Sequence, residues 1–254
     1  MNMASVTIQP AVINDGLLTI QPGTGTFFGG TLANSTGATL SLASNGTTLA
    51  SLIVTGNVTN DGLISLRAGG AGATNAGFGV TNGTLTNNGT IQSSGNSGTF
   101  FNRLSGNIVN NGTLDVADSL RMDNEGHTFT QAGTVTIAGG EQLFVNGNVN
   151  GTTLNLNSDL AIDTGAALRL GNVTVNGPGS IQNSGTVFSG GTDILTTVTN
   201  SGLISVEATG NTIDTIASNT GTIAITTTAG LGRLTVSNGF TNDGIIVLDA
   251  GVNS

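Results

Sequence analysis

One short motif recurs along almost the whole chain and limits the folds that it can adopt. The motif places an apolar residue two positions before an asparagine, a glycine two positions after it, and alternating apolar residues behind the glycine. Its clearest copies span residues 58–66, 198–206 and 240–248, and looser copies span 12–20, 108–116, 129–137 and 219–225. The motif glycines fall at 16, 37, 62, 89, 112, 133, 151, 165, 185, 202, 221 and 244, at irregular intervals of about 20 residues.

Each copy of the motif predicts a strand, a sharp corner and a second strand. Apolar residues at alternate positions are typical of a strand with one buried face. Asparagine and glycine tolerate left-handed backbone angles, so the Asn-x-Gly step suits a corner, and we expect positive φ at glycines such as Gly202. A unit of this size cannot bury its apolar face alone, whereas stacked units bury a continuous core.

Composition favours strands over helices. The 254 residues include 41 glycines and 41 threonines, whereas the lysine and glutamate that usually cover helix surfaces are absent or rare. Short strands in series also fit a sandwich or a barrel. Those folds do not require the same corner in every unit, whereas a solenoid stacks identical corners and can align their asparagines into side-chain ladders. We therefore predict an all-β fold, a parallel β-helix solenoid of about twelve coils that occupies residues 1–254 as a single domain.

The alternation of apolar residues also predicts which side chains face the interior. Ile204, Ile223 and Ile246 occupy the same position in three copies of the motif, so we expect one buried column, with Ser205 facing outward. The phenylalanines are expected to stack or to fill wider stretches of the interior; they include Phe129, Phe144, Phe188 and Phe240. The predicted interior positions are Ile64, Leu66, Leu114, Val116, Val135, Ile137, Ile204, Val206, Ile223, Ile225, Ile246 and Leu248.

Charge and composition exclude several functional classes. A net charge of −9 with five scattered arginines argues against nucleic-acid binding, because no basic cluster can neutralise phosphates. The absence of cysteine excludes disulfides and cysteine-ligated zinc, and no apolar run reaches the length of a membrane-spanning helix. The first residues lack the basic start and apolar core of a secretory signal, so we expect any targeting segment outside this sequence, as part of a longer protein.

The repeated unit, in a chain rich in threonine, asparagine and glycine, resembles the passenger repeats of bacterial surface proteins. Autotransporter passengers and filamentous-haemagglutinin-type exoproteins contain such repeats, and the resemblance covers residues 14–248. It implies a right-handed parallel β-helix in a secreted or cell-surface protein. The N-P-N-G-I motif of two-partner secretion is not found in the sequence, so the resemblance leaves the secretion route open.

One segment concentrates ionisable side chains: Arg121, Asp123, Glu125 and His127 stand at alternate positions. If this segment were one strand, the four groups would share a face, and two carboxylates beside a histidine could support acid–base cleavage of a polysaccharide. The order Asp-Asn-Glu-Gly favours a turn instead, which would place these groups on an exposed loop. We therefore predict no catalytic residue and keep these four as the candidates for the opposite hypothesis.

Two aspartate pairs could offer oxygen ligands to calcium: Asp115 with Asp118, and Asp159 with Asp163. Calcium takes six to eight oxygen ligands, and neither an EF-hand loop nor a glycine- and aspartate-rich calcium repeat occurs in the sequence. Exposed acids that keep the chain soluble explain both pairs. We predict no metal site and no cofactor.

These observations favour a structural or adhesive module of a secreted or cell-surface protein, not an enzyme. Its expected partner is a ligand on a host surface or matrix, or a polysaccharide. The alternative is a β-helix that binds or cleaves polysaccharides, such as a lyase, a glycosidase or a tailspike-like protein. The absence of tryptophan and tyrosine, which often stack on sugars, and the single histidine argue against that alternative. A designed solenoid is a third hypothesis, but the irregular intervals argue against it.

Overall fold

The computed structural model describes residues 6–23, 25–45, 47–69, 74–95, 101–227 and 232–250. Within these ranges all regular secondary structure is β, and there is no helix of the length and apolarity that a membrane span requires. Neighbouring strands are parallel and stack as a β-solenoid of about 10 turns, which confirms the predicted fold class. The handedness, the count of twelve coils and the single-domain boundary stay predictions. Residues 1–5, considered above for a targeting signal, lie outside the described residues.

The strands are short, and the longest of them cross from one side of the solenoid to the next: β10, for example, pairs first with β7 and then with β8. In chain order the strands of the described ranges are β1 (Val6–Ile8), β2 (Val12–Asn14), β3 (Leu17–Ile20), β4 (Gly25–Phe28), β5 (Leu32–Asn34), β6 (Thr39–Ala43), β7 (Ala50–Val54), β8 (Val58–Asn60), β9 (Leu63–Ala68), β10 (Ala76–Asn87), β11 (Thr90–Gly95), β12 (Asn102–Asn110), β13 (Thr113–Val116), β14 (Leu120–Asp123), β15 (Thr128–Gln131), β16 (Thr134–Ile137), β17 (Gln142–Asn146), β18 (Thr152–Leu156), β19 (Leu160–Ile162), β20 (Ala167–Gly171), β21 (Val173–Asn176), β22 (Ile181–Asn183), β23 (Thr186–Gly190), β24 (Asp193–Asn200), β25 (Leu203–Val206), β26 (Asn211–Asn219), β27 (Thr222–Thr227), β28 (Leu234–Asn242) and β29 (Ile245–Ala250).

The first of two compact units comprises residues 1–124 and 132–136. The strands that follow its corners form one sheet in the order β16-β13-β11-β9-β6-β3. In that sheet Ile64 pairs with Leu40 on one side and with Ile91 on the other, and all three are buried. Val135 is only half-buried, because β16 lies at the edge of the sheet. The interior prediction is confirmed here for Ile64, Leu66, Leu114 and Val116.

The second unit comprises residues 125–131 and 137–254. Ile204 pairs with Ile223, and Ile223 pairs with Ile246, so the predicted alignment of the three is confirmed, but the predicted burial of Ile246 is wrong. Ile204 and Ile223 are buried, whereas Ile246 is 44% exposed, because β29 has a neighbouring strand on one side only in the described chain. Leu248, also on β29, is 75% exposed for the same reason, so its predicted burial is wrong. Among the remaining predicted positions, Ile137 and Val206 are buried and Ile225 is half-buried.

The motif asparagines form a side-chain ladder in each unit, as the sequence predicts. The Nδ2 atom of each asparagine donates a hydrogen bond to the Oδ1 atom of the next. In the first unit these bonds are 2.6 or 2.7 Å long and join Asn14, Asn34, Asn60, Asn87 and Asn110. In the second unit they are 2.6 Å long and join Asn183, Asn200, Asn219 and Asn242. The second amide hydrogen reaches a backbone carbonyl, as from Asn60 to Thr90 at 3.0 Å, so these buried amides satisfy each other and the corner.

The ladder of the second unit begins at an unsatisfied atom. Asn183 is 2% exposed, and its Oδ1 atom accepts no hydrogen bond. The strand beside it provides Ile162 at the paired position, and an isoleucine side chain has no donor. At this coil Ile162 therefore stands where an asparagine would donate a side-chain hydrogen bond to Asn183 Oδ1.

Close packing between coils explains the motif glycines. A Cβ atom at Gly202 would lie 2.1 Å from the carbonyl oxygen of Gly185, and one at Gly221 would lie 2.1 Å from that of Gly202. The same carbonyls accept backbone hydrogen bonds from the next coil, such as the bond from Leu203 N to Gly185 O at 2.8 Å. The prediction of positive φ at Gly202 is wrong, because its φ is not positive. A side chain is excluded there because the backbones of successive corners touch.

Two looser copies of the motif use a longer corner. Gly37 and Gly165 have φ of 81° and 83°, in the left-handed region that favours glycine. The next residues, Ala38 and Ala166, take the position that a motif glycine takes elsewhere, and Leu63 N donates to Ala38 O at 2.9 Å. Counting Gly37 and Gly165 as equivalent motif glycines is therefore wrong: each belongs to an inserted turn, and the alanine holds the register.

The phenylalanines divide between the two faces of the sheets. Phe129 is 1% exposed, which confirms its predicted interior position. Phe144 and Phe188 lie instead on the outer face, in one column with Arg169 between them, and the Arg169 guanidinium lies 4.1 Å from the centre of the Phe188 ring. The predicted interior position of Phe144 and Phe188 is therefore wrong. The two rings do not stack on each other, because Arg169 lies between them in the column. Phe240 is 45% exposed on β28, which has a neighbouring strand on one side only in the described chain.

Substitutions at two glycines should separate close packing from backbone conformation. Asparagine tolerates positive φ but adds a Cβ atom. Gly37→Asn should change stability little, because nothing lies within 4 Å of its Cβ position. Gly202→Asn should lower the free energy of unfolding by about 1–3 kcal/mol or more, since the added atom overlaps a carbonyl. Thermal unfolding followed by circular dichroism measures both variants, and equal losses would contradict the close-packing explanation.

Removal of an internal ladder amide should destabilise the second unit. Asn200→Ala leaves Asn219 Oδ1 without its donor and removes the acceptor of Asn183 Nδ2, at a cost of about 1–3 kcal/mol for each buried group left unpaired. Asn242→Ala is the matched control, since it removes a single ladder bond at an exposed position. Urea unfolding should show the larger loss for Asn200→Ala. Indistinguishable midpoints would mean that the ladder contributes little.

A charge placed in the interior column should be far more harmful than one placed on the outer face. Ile204→Asp buries an unpaired carboxylate at a position that is 1% exposed, and we expect a loss of several kcal/mol. Ser205 faces outward but is only 8% exposed, so the exposed Gln182→Asp is the better control. Equilibrium unfolding in urea tests the pair. Similar midpoints for the two variants would contradict the assigned faces.

Candidate functional site

The first half of the predicted charged segment forms an ion-paired patch in the first unit. Arg121 and Asp123 stand at alternate positions of β14, and Arg121 Nε lies 2.5 Å from Asp123 Oδ1. Arg103, which pairs with Arg121 in the sheet, places its Nη1 atom 3.7 Å from Asp123 Oδ2. Two guanidinium groups thus compensate one carboxylate on the outer face. This arrangement holds Asp123 as an ion-pair partner rather than as a free general base.

The second half of the segment belongs to the second unit, where the chain turns. Glu125 and Gly126 form a turn, with φ of 71° at Gly126, so the predicted interruption of the strand is confirmed. The Glu125 carboxylate accepts hydrogen bonds from the backbone and side chain of Asn150, the latter at 2.7 Å, and from Asn148 Nδ2 at 3.4 Å. Glu125 therefore holds the turn around Asn150 in place.

His127 lines an open, polar cleft of about 260 Å³. Its backbone carbonyl accepts hydrogen bonds from Thr152 Oγ1 at 2.6 Å and from Thr153 N at 3.2 Å, which joins two coils at this point. His127 is the one titratable side chain among the lining residues, which are Gly126, His127, Thr128, Asn150, Gly151, Thr152, Thr153 and Thr174. The lining thus provides hydroxyl and amide groups for binding, and it does not include the pair of carboxylates that glycoside hydrolysis commonly uses.

Three of the four aspartates considered for calcium, Asp115, Asp118 and Asp159, accept separate hydrogen bonds. Asp115 accepts from Gln92 Nε2 at 2.9 Å and from Thr136 Oγ1 at 3.0 Å, and Asp118 Oδ1 accepts from Ser119 N at 3.0 Å. In the part of the chain that the structure describes, no three acidic or histidine side chains gather as metal ligands.

Asp159, the third of these aspartates, contacts the neighbouring coil. The Ser180 hydroxyl and backbone N–H donate to its Oδ1 atom at 2.7 and 2.9 Å. These two hydrogen bonds hold the pKa of Asp159 below its ordinary value, because they stabilise the charged form. The carboxylate thus links two corners of neighbouring coils.

A larger cleft, which no sequence motif predicts, lies in the second unit at the amino-terminal ends of β26 and β28. Its volume is about 460 Å³, and its lining consists of Thr209, Gly210, Asn211, Thr212, Arg233 and Thr235. Thr212 and Thr235 are paired across the two strands on the outer face. No sequence motif predicts this cleft, because one part of its lining, residues 209–212, and the other part, residues 233–235, come from different coils.

No protein-family model, curated protein or solved structure matches this chain. The likeness to bacterial passenger repeats therefore remains a resemblance in the repeated motif, and the function must be argued from the residues described above.

Proposed function

We propose that this chain is a structural or adhesive module of a secreted or cell-surface protein, and not an enzyme. The observation that carries the proposal is the state of the charged segment first considered for catalysis. Asp123 is compensated by Arg103 and Arg121, and Glu125 is bound to the turn at Asn150. These carboxylates serve the fold, so the segment does not supply the free acid and base that polysaccharide cleavage requires.

The fold supports a load-bearing role. Within each unit, successive coils are joined by parallel backbone hydrogen bonds, by apolar columns and, where the motif asparagine is present, by the asparagine ladder. A stack of this kind resists local unfolding, since a coil cannot open without breaking contacts to both neighbours. The outer faces present mainly threonine, serine and asparagine, with few charges, which suits contact with polar extracellular surfaces or polysaccharides.

The alternative function, a β-helix that binds or cleaves polysaccharide, draws support from one observation. The cleft beside His127 is polar and open, and its hydroxyl and amide groups could contact a sugar. Binding at this cleft is compatible with an adhesive role, whereas cleavage is not. Turnover is therefore the property that separates the two functions.

Activity and adhesion assays on the intact chain test the proposal. We expect binding to immobilised polysaccharides or matrix proteins, with no release of reducing ends or of unsaturated uronate from neutral or acidic polysaccharides. Glu125→Gln and His127→Asn should leave adhesion unchanged. Turnover that is abolished in either variant would overturn the proposal in favour of an enzyme. A chain that adheres to none of these surfaces would contradict the adhesive role.

A further inference from the structure

We propose that the cleft beside Arg233 binds the anionic group, carboxylate or sulfate, of an acidic sugar residue. This inference rests on the adhesive function proposed above and names the ligand chemistry of one site. It concerns the cleft at the amino-terminal ends of β26 and β28 and is independent of the charged segment around His127.

Arg233 differs from most arginines of this chain in its surroundings. Arg103 and Arg121 bind Asp123, and Arg169 binds Glu207 with a distance of 2.7 Å. Within the described ranges Arg233 makes no ion pair, and its side chain is exposed at the cleft. A guanidinium group is charged at all relevant pH values and presents a planar fork of donors that matches a carboxylate or sulfate. Among the described residues this cation therefore has no counter-charge, and it is exposed to solvent in a concave site.

The threonines of the cleft add neutral donors around that cation. Thr212 and Thr235 are neighbours across β26 and β28, about one strand spacing apart, ~4.8 Å. Thr209 is exposed on the turn that precedes β26, where Gly210 has φ of 78° and no atom within 4 Å of its Cβ position. The hydroxyls can donate to a charged group or accept from sugar hydroxyls. Gly210 keeps the entrance free of a side chain.

A buried amide fixes the floor of the cleft. Asn211 is 1% exposed, and its Oδ1 atom accepts hydrogen bonds from Ser189 Oγ at 2.8 Å and Thr192 N at 3.1 Å. Its Nδ2 atom donates to Ala208 O at 2.5 Å, which ties down the turn that carries Thr209. The cleft is thus held by side chains that are already satisfied, and its free groups are those at the rim.

Size and charge favour one acidic sugar residue of a longer glycan. A volume of about 460 Å³ lies at the small end of ligand pockets and is open to solvent, so a polymer could continue beyond it. Asp193 is paired with Thr212 on the next strand and is exposed. Its carboxylate would repel a second anion on that side, so the ligand's charge should lie at Arg233 and its hydroxyls along the threonines.

Titration calorimetry on the intact chain tests the site, with galacturonic acid oligomers, N-acetylglucosamine 6-sulfate, glucose oligomers and inorganic sulfate as probes. We expect one or both acidic sugars to bind, the neutral oligomer to bind at least about tenfold more weakly, and Arg233→Gln to weaken acidic-sugar binding by about tenfold or more. Thr235→Val should cause a smaller loss, because it removes one hydroxyl at nearly constant shape. Binding of sulfate alone would reduce the site to an anion site and overturn the sugar assignment.

Arg67→Gln is the matched control, since it removes one exposed guanidinium of the first unit and should leave binding unchanged. Equal losses in Arg67→Gln and Arg233→Gln would overturn the proposal, because they would indicate a general charge effect. If neither acidic sugar binds while adhesion to surfaces persists, this inference fails and the adhesive function stands. If adhesion itself is absent, the proposed function fails independently of Arg233.

Discussion

The close approach of successive corners is the constraint on which the rest of the solenoid depends. At each tight corner a motif glycine lies against the carbonyl of the glycine one coil before, and there is no room for a Cβ atom at Gly89, Gly112, Gly202 or Gly221. This contact brings the backbone N–H groups that follow the asparagine within reach of the asparagine carbonyl below, as from Ser201 to Asn183 at 2.8 Å. The corner thus sets the register for the strands on both sides of it.

The asparagine side chain completes this corner from the inside. A sharp turn leaves backbone carbonyls pointing into an apolar interior, where an unpaired group is costly. The Nδ2 atom of Asn87 satisfies one such carbonyl, Thr113 O, and also bonds Asn110 Oδ1. The amide therefore has two tasks that no apolar residue could perform. At Ile162 the chain omits it, and the adjacent Asn183 Oδ1 remains unsatisfied.

Because the corners and columns supply the stability, the outer faces are free to vary. Some of their few charges pair across coils, such as Arg169 with Glu207, 38 residues apart in sequence. Hydroxyl and amide side chains fill most other outer positions of the described strands. Binding groups on such faces come from different coils, so a site can arise wherever an unpaired side chain meets a shallow cleft. Arg233 is in that situation, and the proposed adhesive role would use such positions rather than a catalytic centre.

The sequence alone determined the parallel solenoid, the asparagine ladders and the column of Ile204, Ile223 and Ile246, because each depends on a motif that repeats with the same internal spacing. The turn at Glu125 was equally predictable, since its residues are local turn formers. The tertiary structure alone decided the outer-face neighbours. Coil lengths are irregular, so the residue that lies beside Arg169 or Thr212 on the next coil does not follow from the motif.

The role of the glycines shows the same division between local and tertiary information. Sequence patterns predict a glycine at each corner. They do not show whether glycine is needed there for a positive φ or for a close contact between two backbones. Gly37 needs its glycine for conformation, and Gly202 needs it because Gly185 O occupies the space. The first requirement is local to a few residues, whereas the second exists only when two coils are stacked. For the same reason the cleft at Arg233 could not be found from the sequence, since its lining joins residues of two coils that only the register brings together.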